Sequence, residues 1–167
     1  IMSVLVSDFV ADINKIFDIN IVVSVSIIQV LEKLKIPELS IKWPNDIMSY
    51  NKKIGGILIE NSIKSDGSIN SIVGLGLNVN QMNFENLPKA SSLAVICKTT
   101  FEKEEILLKI VENLELNIQS WYQDKDLMWS IYGKNLFKKG SPMPFEGKNG
   151  QSFMGIIQGV SSIGKLE

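Results

Sequence analysis

Short apolar stretches separated by polar turns dominate the chain between Ile41 and Asn80. The alternating and continuous apolar positions of residues 46–50, 54–60 and 69–77 predict three strands. A polar Asn-Lys-Lys segment separates the first two strands, and an Asp-Gly pair, which tolerates positive φ, lies between the second and third. The pattern therefore predicts an antiparallel meander.

Helical spacing is typical of four other stretches. Residues 9–34 form an apolar helical stripe; the β-branched residues of 19–30 would also fit a strand, but the length favours a helix. Residues 101–122 predict the clearest helix, residues 126–136 another, and residues 92–99 a short one.

The ends of these elements carry recognisable signals. Ser7 or Asp8 is expected to cap the first helix, and Ser91 or Ser92 the short one. Pro37 is expected to end the first helix, because proline disfavours a helical residue before it.

Four glycines on two neighbouring strands suggest a surface without side chains: Gly55, Gly56, Gly74 and Gly76. Glycine weakens a strand, and within one it often marks the close approach of a ligand or of another backbone. A flat ligand could lie on such a surface, although bulges or close helix packing would also explain the glycines. Lys53 is the nearest basic residue, and it is either functional or an ordinary solvated lysine.

Composition excludes several kinds of site. All seventeen basic residues are lysines, so catalytic triads with histidine, histidine metal sites and arginine clamps are excluded within this chain. The single cysteine, Cys97, fits a reducing compartment and is interpreted as a small buried hydrophobe. A net charge of −1 gives no indication of nucleic-acid binding. Neither a signal peptide nor an apolar run of membrane length is visible, so we expect a cytoplasmic protein that contacts no membrane.

Three motifs carry a resemblance to a known family. Their order and spacing resemble the central signature of the biotin protein ligases, also called biotin–[acetyl-CoA-carboxylase] ligases: Lys42-Trp43-Pro44-Asn45-Asp46, Lys53-Ile54-Gly55-Gly56-Ile57-Leu58-Ile59-Glu60 and Gly74-Leu75-Gly76-Leu77-Asn78-Val79-Asn80. Each motif alone is a weak signal, but the three together are specific. The resemblance is densest over residues 41–80 and faint beyond Leu87.

The resemblance implies an enzyme that activates biotin with ATP to biotinyl-AMP and then transfers biotin to a lysine of a biotin carboxyl carrier domain. Lys53 would be the catalytic residue, and Asp46 would help to place Mg²⁺. The implied biotin and adenylate site comprises Trp43, Asn45, Asp46, Lys53, Gly55, Gly56, Gly74, Gly76 and Asn78. From the residues alone, Asn45 could instead bond its own backbone, and Asn78 could cap the end of a strand.

The resemblance also implies the fold. We expect an α/β (α+β) fold, in which a mixed β-sheet flanked by helices forms a class II synthetase-like biotin/lipoate ligase core over residues 1–137. Composition changes at Lys138, and regularly spaced glycines separate short predicted strands at 143–146, 152–160 and 165–167. Residues 138–167 are therefore expected to be an incomplete SH3-like β-barrel.

The beginning of the chain prompts one further expectation. A strand is predicted over residues 2–6, immediately after Ile1. The family's Gly-Arg-Gly-Arg-x-Gly loop, which covers biotin and phosphates, precedes such a strand and has no match here. We therefore expect that part of the core is missing and that the chain alone is weakly active or inactive.

Two alternatives stay open. The chain could be a non-catalytic module for dimerisation or carrier docking, and a homodimer is possible. It could also be a related lipoate ligase or octanoyl transferase, although the Lys-Trp-Pro-Asn-Asp and Gly-x-Gly-x-Asn motifs favour biotin.

Overall fold

The structure is a computed structural model, which describes residues 1–10, 12–147 and 149–167. Its main sheet has five strands: β1 (Met2–Ser7), β2 (Leu39–Lys42), β3 (Asp46–Ser49), β4 (Lys52–Ile63) and β5 (Ile69–Leu77). Their order is β1-β5-β4-β3-β2, and each neighbouring pair is antiparallel. Parallel pairing within the described residues is confined to two single bridges, Ile41 with Leu136 and Lys53 with Ala90. The three strands predicted from residues 46–77 are confirmed.

One irregularity interrupts the sheet between β3 and β4. Ile47 pairs with Gly55 while the next residue, Met48, pairs with Lys53, so Ile54 is an extra residue on β4. Such a bulge places two successive residues of one strand opposite a single partner and bends that strand. It lies at the beginning of the glycine motif.

Two long helices cover the inner face of the sheet, α1 (Phe17–Lys33) and α3 (Lys103–Lys134). A short helix, α2 (Leu93–Cys97), follows β5. The inner face and both long helices contribute to one core cluster, which includes Ile27, Leu31, Ile57, Val73, Leu75, Ile110 and Leu114. Because α1 is surrounded by this core, its apolar residues extend around the helix rather than along one stripe.

The stretch Ile13–Lys33 is long and apolar enough to cross a membrane by length and composition alone, although no run of membrane length was expected from the sequence. It lies near the beginning of the chain, and 61% of its most apolar window is buried against the rest of the fold. This burial is typical of the central helix of a globular domain.

The boundaries of all three α-helices differ from the prediction. The first helix begins at Phe17, and it follows a 3₁₀ turn (Ile13–Lys15) capped by Asp12 rather than by Ser7 or Asp8. The two helices expected at 101–122 and 126–136 are one helix, α3. No glycine or proline interrupts residues 123–126, and the buried positions Leu114, Trp121 and Met128 continue at seven-residue steps. Ser92 caps α2, as predicted, while α2 ends at Cys97.

The last thirty residues contain a two-stranded hairpin of β6 (Pro142–Glu146) and β7 (Ser152–Ile156). A single bridge between Val160 and Leu166 replaces the third strand predicted over residues 165–167. The helix-flanked sheet of the core therefore matches the expected α/β (α+β) fold, but its strands are antiparallel where a mixed sheet was expected. The SH3-like barrel and the division at residues 137/138 stay predictions.

Candidate functional site

The outer face of β4 and β5 carries a surface without side chains. Gly56 pairs with Gly76, and Gly74 pairs with Leu58 two positions further along, so the three glycines share one face. A Cβ atom on Gly76 would have the carbonyl oxygen of Gly56, at 4.0 Å, as its nearest contact beyond its chain neighbours, and one on Gly74 would lie 3.5 Å from the Leu58 carbonyl oxygen. We call Gly56, Gly74 and Gly76 the glycine patch.

Gly55 does not belong to this patch. It is buried on the inner face, where a Cβ atom would lie 2.9 Å from the carbonyl oxygen of Gly76 and 3.2 Å from a methyl group of Leu77. Backbone cannot move aside as a flexible side chain can, so this glycine allows the close approach of two strands. The packing explanation therefore fits Gly55, whereas the open-surface explanation fits the other three.

Lys53 lies over Gly56, at the edge of the glycine patch next to β3. Its Cε and Nζ atoms are both 3.3 Å from where a Cβ atom of Gly56 would be, and Nζ is 2.5 Å from Oδ1 of Asp46. Asp46 is the residue that pairs with Gly56 across the sheet. Since the lysine side chain is 48% exposed and the carboxylate 21% exposed, the ion pair contributes little to stability. The ion pair instead fixes the position of the Lys53 ammonium group beside Gly56 of the glycine patch.

The bulge at Ile54 puts Lys53 on this face. Residues 53 and 56 are three apart, so regular alternation would place their side chains on opposite faces of the sheet. The extra residue, Ile54, is buried on the inner side and restores Lys53 to the outer side. The Lys53 backbone is also held by the next loop, because its N–H donates to the Lys89 carbonyl and its carbonyl accepts from the Ser91 N–H.

Asn45 and Trp43 of the first motif donate side-chain hydrogen bonds to backbone carbonyl groups near the site. The Asn45 side-chain amide donates to the Ile57 carbonyl at 2.8 Å, and the Ile57 N–H donates to the Asn45 carbonyl at 2.8 Å. Trp43 donates its indole N–H to the carbonyl of Gly164 in the C-terminal segment, at 2.9 Å. Of this motif, the structure brings Asp46 to the patch and ties Asn45 and Trp43 to backbone.

Asn78 also has a structural partner. Its side-chain amide donates to the Ser91 carbonyl at 3.0 Å, and its backbone N–H donates to the Ile54 carbonyl. Asn80 is held by Phe101, which it bonds through both its amide nitrogen and its amide oxygen. The capping interpretation of Asn78 therefore has direct support, and a contact with ligand stays a prediction.

Sequence reasoning missed two features around the patch. The loop that holds Lys53 also accepts a bond from Lys52, whose Nζ donates to the Pro88 carbonyl. Exposed apolar side chains, Leu58 and Ile72, also flank the glycines on the outer face. Their alternation with the inner-facing Ile57 and Val73 was visible in the sequence and could have revealed this two-sided pattern.

The remaining candidate chemistry is sparse. Among the described residues, no three His, Cys, Asp or Glu side chains gather in a way that could hold a metal ion. Asp46 is the carboxylate nearest to Lys53 and could contribute one ligand. Cys97 is half-buried rather than buried as predicted, and burial raises the pKa of its thiol.

Comparisons with known proteins agree with this geometry. The sequence model of the Biotin/lipoate A/B protein ligase family matches residues 2–78. A biotin–[acetyl-CoA-carboxylase] ligase of Mycobacterium tuberculosis is 29% identical over 129 residues, which cover 77% of this chain and 47% of that protein. A bifunctional ligase/repressor of Bacillus subtilis is 25% identical over 162 residues, which cover 92% of this chain and 49% of that protein.

Solved structures share the fold. The biotin protein ligase of Aquifex aeolicus in complex with biotin and ATP superposes with a TM-score of 0.79 at 24% identity, covering 98% of this chain and 68% of the other. Its apo structure gives a TM-score of 0.77. The chain spans about half the length of the curated relatives that it matches. Residues 2–78 of the chain match the biotin/lipoate A/B protein ligase family, and the three motifs, the sheet and the relatives agree with this match.

Proposed function

We propose that the protein is a biotin protein ligase, which activates biotin with ATP to biotinyl-AMP and transfers biotin to a lysine of a biotin carboxyl carrier domain. The observation that carries this proposal is the Lys53 ammonium group, held by Asp46 above Gly56 on an open strand surface. The names of the relatives in Mycobacterium tuberculosis and Aquifex aeolicus support biotin over lipoate as the substrate.

The first reaction suits this arrangement. A carboxylate oxygen of biotin attacks the α-phosphorus of ATP, and the bond to the β-phosphate oxygen breaks to release pyrophosphate. Catalysis of such a displacement depends mainly on positioning and on stabilisation of the charge on oxygen. Lys53 is a mobile point charge that can leave Asp46 and bind carboxylate and phosphate oxygens. The glycine patch lets the adenylate lie close to the backbone of β4 and β5.

The second reaction needs no histidine. The amine of the acceptor lysine attacks the carbonyl carbon of biotinyl-AMP, an amide bond forms, and AMP leaves with the bonding electrons. Lys53 then stabilises the charge on the departing phosphate, and the proton of the attacking amine passes to solvent.

Mg²⁺ would arrive with the nucleotide. This ion prefers oxygen ligands and uses one or two carboxylates together with substrate phosphates. The Asp46 carboxylate is partly exposed beside the glycine patch, so it could serve as a single carboxylate ligand. The ion would supply neutralisation of phosphate charge.

The partners follow from the same assignment. They are biotin, ATP and a biotin carboxyl carrier domain of a carboxylase, in the cytoplasm. Residues 138–167 would form part of an SH3-like domain beside the catalytic core, and a second copy of the chain is a further candidate partner.

Pyrophosphate release tests this function. The full-length protein is incubated with ATP and either biotin or lipoate, and a carrier domain is then added. We expect release that depends on biotin, followed by a mass increase of the carrier at one lysine. Release with lipoate in place of biotin would contradict the assigned substrate, and no release with either acid would contradict the ligase activity.

A further inference from the structure

The C-terminal segment, residues 138–167, contacts the same corner of the fold that carries Asp46. Its last turn is closed by the Gly164 N–H, which donates to the Ser161 carbonyl, and by the Ser161 N–H, which donates to the Lys165 carbonyl. The carbonyl of Gly164 then accepts the indole N–H of Trp43 at 2.9 Å. The two residues are 121 positions apart in the sequence, so this bond joins the segment to the core.

Gly164 is suited to this contact for two physical reasons. Its φ of +82° lies in the left-handed region, which side chains disfavour. A Cβ atom there would also lie 2.4 Å from the ring of Phe17. That ring is held in an aromatic cluster, 6.0 Å from Tyr132 and 6.1 Å from Trp129, and so cannot move aside easily.

A continuous series of bonds leads from this turn to Lys53. Trp43 lies two residues before Asn45, whose backbone and side chain are both bonded to Ile57 of β4. The next residue, Asp46, holds the Lys53 ammonium group at 2.5 Å. Chains of bonded groups on rigid elements are able to carry energetic coupling between sites.

We propose that Trp43 is a positioning residue, which couples docking of the C-terminal turn at Gly164 to the placement of Asp46 and Lys53. The indole N–H of Trp43 is bonded to the Gly164 carbonyl, so this donor acts on the corner of the fold and not on a ligand. This inference rests on the proposed function for its catalytic consequence, but the coupling itself is a property of the unliganded protein.

Gly164→Ala and Gly159→Ala form a matched pair for the test. Both change glycine to alanine in the C-terminal segment, but a Cβ atom on Gly159 meets no heavy atom within 4 Å and its φ is not left-handed. The full-length proteins are compared by hydrogen exchange of the peptides covering residues 54–60 and 157–167, without ligand. Affinity for a non-hydrolysable biotinyl-adenylate analogue is then measured.

We expect Gly164→Ala to accelerate exchange in both peptides and to weaken analogue binding at least about fivefold, the lower end of typical coupling between sites. Gly159→Ala should match the wild type in all three measurements. Trp43→Phe keeps an aromatic ring but removes the donor, and it should accelerate exchange in residues 54–60. Trp129→Phe, which also removes an indole donor (its bond to Asp18), should leave exchange in residues 54–60 unchanged.

Each contrary result has a distinct meaning. If Gly164→Ala accelerates exchange in residues 157–167 but leaves exchange in residues 54–60 unchanged, the coupling is overturned. The coupling is also overturned if exchange of residues 157–167 in Gly164→Ala is as slow as in the wild type. Equal effects of the two glycine variants would overturn the assignment to Gly164. If Gly164→Ala does not fold, Trp43→Phe decides. Failure of the wild type to bind the analogue would contradict the proposed function, while the exchange measurements would still decide the coupling.

Discussion

Lys53 and Lys52 are neighbours with different surroundings. Lys53 extends over the glycine patch to Asp46, whereas Lys52 donates to the Pro88 carbonyl at the edge of the loop. Comparing variants of the two lysines therefore distinguishes the effect of a charge at the candidate site from that of the same charge one residue away.

Lys53→Ala should slow adenylate formation by about 10²–10³-fold, because removing one donor that stabilises transition-state charge typically costs about 3–4 kcal/mol. Lys52→Ala should slow it by less than about tenfold. Both variants should keep their unfolding free energy within about 0.5 kcal/mol, as is usual for exposed side chains. Turnover is measured by pyrophosphate release in the full-length protein. Similar rates for the two variants would show that Lys53 is an ordinary turn lysine.

The three glycines Gly55, Gly56 and Gly76 should respond differently to alanine. Gly55→Ala should lower the melting temperature, because its Cβ atom would meet the Gly76 carbonyl at 2.9 Å. Gly56→Ala should keep the fold but displace the flexible Lys53 side chain, which lies 3.3 Å away, and so weaken analogue binding. Gly76→Ala should keep the fold, and its open surroundings predict that any loss is in ligand affinity. Thermal unfolding and calorimetric binding distinguish these results. A collapse of stability in Gly56→Ala would instead assign that glycine to packing.

Cys97 should react slowly with thiol reagents. Burial raises the pKa of its thiol, so the thiolate fraction at pH 7–8 is smaller than that of a free cysteine. The rate of alkylation by iodoacetamide should be below that of an unstructured cysteine peptide at the same pH, and it should approach the peptide rate in denaturant. A native rate equal to the peptide rate would contradict the effect of burial.

At the scale of elements, α1 and α3 are joined by buried polar contacts as well as by apolar packing. The Asp18 carboxylate, 6% exposed, accepts from Nζ of Lys125 at 2.7 Å and from the Trp129 indole at 3.2 Å. A second group of bonds runs from Asn113 and Asn117 on α3 to residues 26–29 of α1. These contacts set the register of the two helices, because a shift by one residue would leave buried polar groups without partners.

Lys125→Ala should destabilise the protein by about 1.5–3 kcal/mol, since it leaves the buried Asp18 carboxylate without its cation. Lys109→Ala is the matched control on the same helix, because its partner Glu105 is exposed and such pairs contribute about 0.3–0.5 kcal/mol. Urea unfolding of both variants gives the comparison. Equal losses would mean that the burial of Asp18 has little energetic consequence.

Considered as a whole molecule, the fold has one covered and one open side of a five-stranded sheet. The inner face packs on α1 and α3, while the outer face exposes Leu58 and Ile72 beside the glycine patch. Openness on this side gives a ligand access to the backbone, and the helices on the other side keep the strands in place.

Two successive residues of β5 test this arrangement. Ile72→Thr changes a side chain that is 49% exposed on the outer face and should cost less than about 1 kcal/mol of unfolding free energy. Val73→Thr introduces a hydroxyl group where the side chain is 0% exposed, and an unpaired buried hydroxyl costs about 1–3 kcal/mol. Denaturant unfolding measures both. A larger loss for Ile72→Thr than for Val73→Thr would contradict the assignment of the two faces.

Local patterns in the sequence were sufficient for the elements around the site. Strand periodicity and turn residues predicted β3, β4 and β5, and the serine before an apolar run predicted the cap of α2. These features depend on residues close together in the chain. The three motifs likewise predicted the match to the biotin/lipoate A/B protein ligase family.

Tertiary structure decided which side chains share the site. Alternation alone would place Lys53 and Gly56 on opposite faces, and only the pairing of β4 with β3 creates the bulge at Ile54 that brings them together. The contact of Trp43 with Gly164 joins residues 121 positions apart, which no local pattern could reveal. Periodicity can be recognised within one strand, whereas strand register and long-range contacts depend on two segments that are far apart in the sequence. The sequence by itself therefore determined most of the elements and the family resemblance, and the folded chain decided the face on which Lys53 lies and the contact of Trp43 with Gly164.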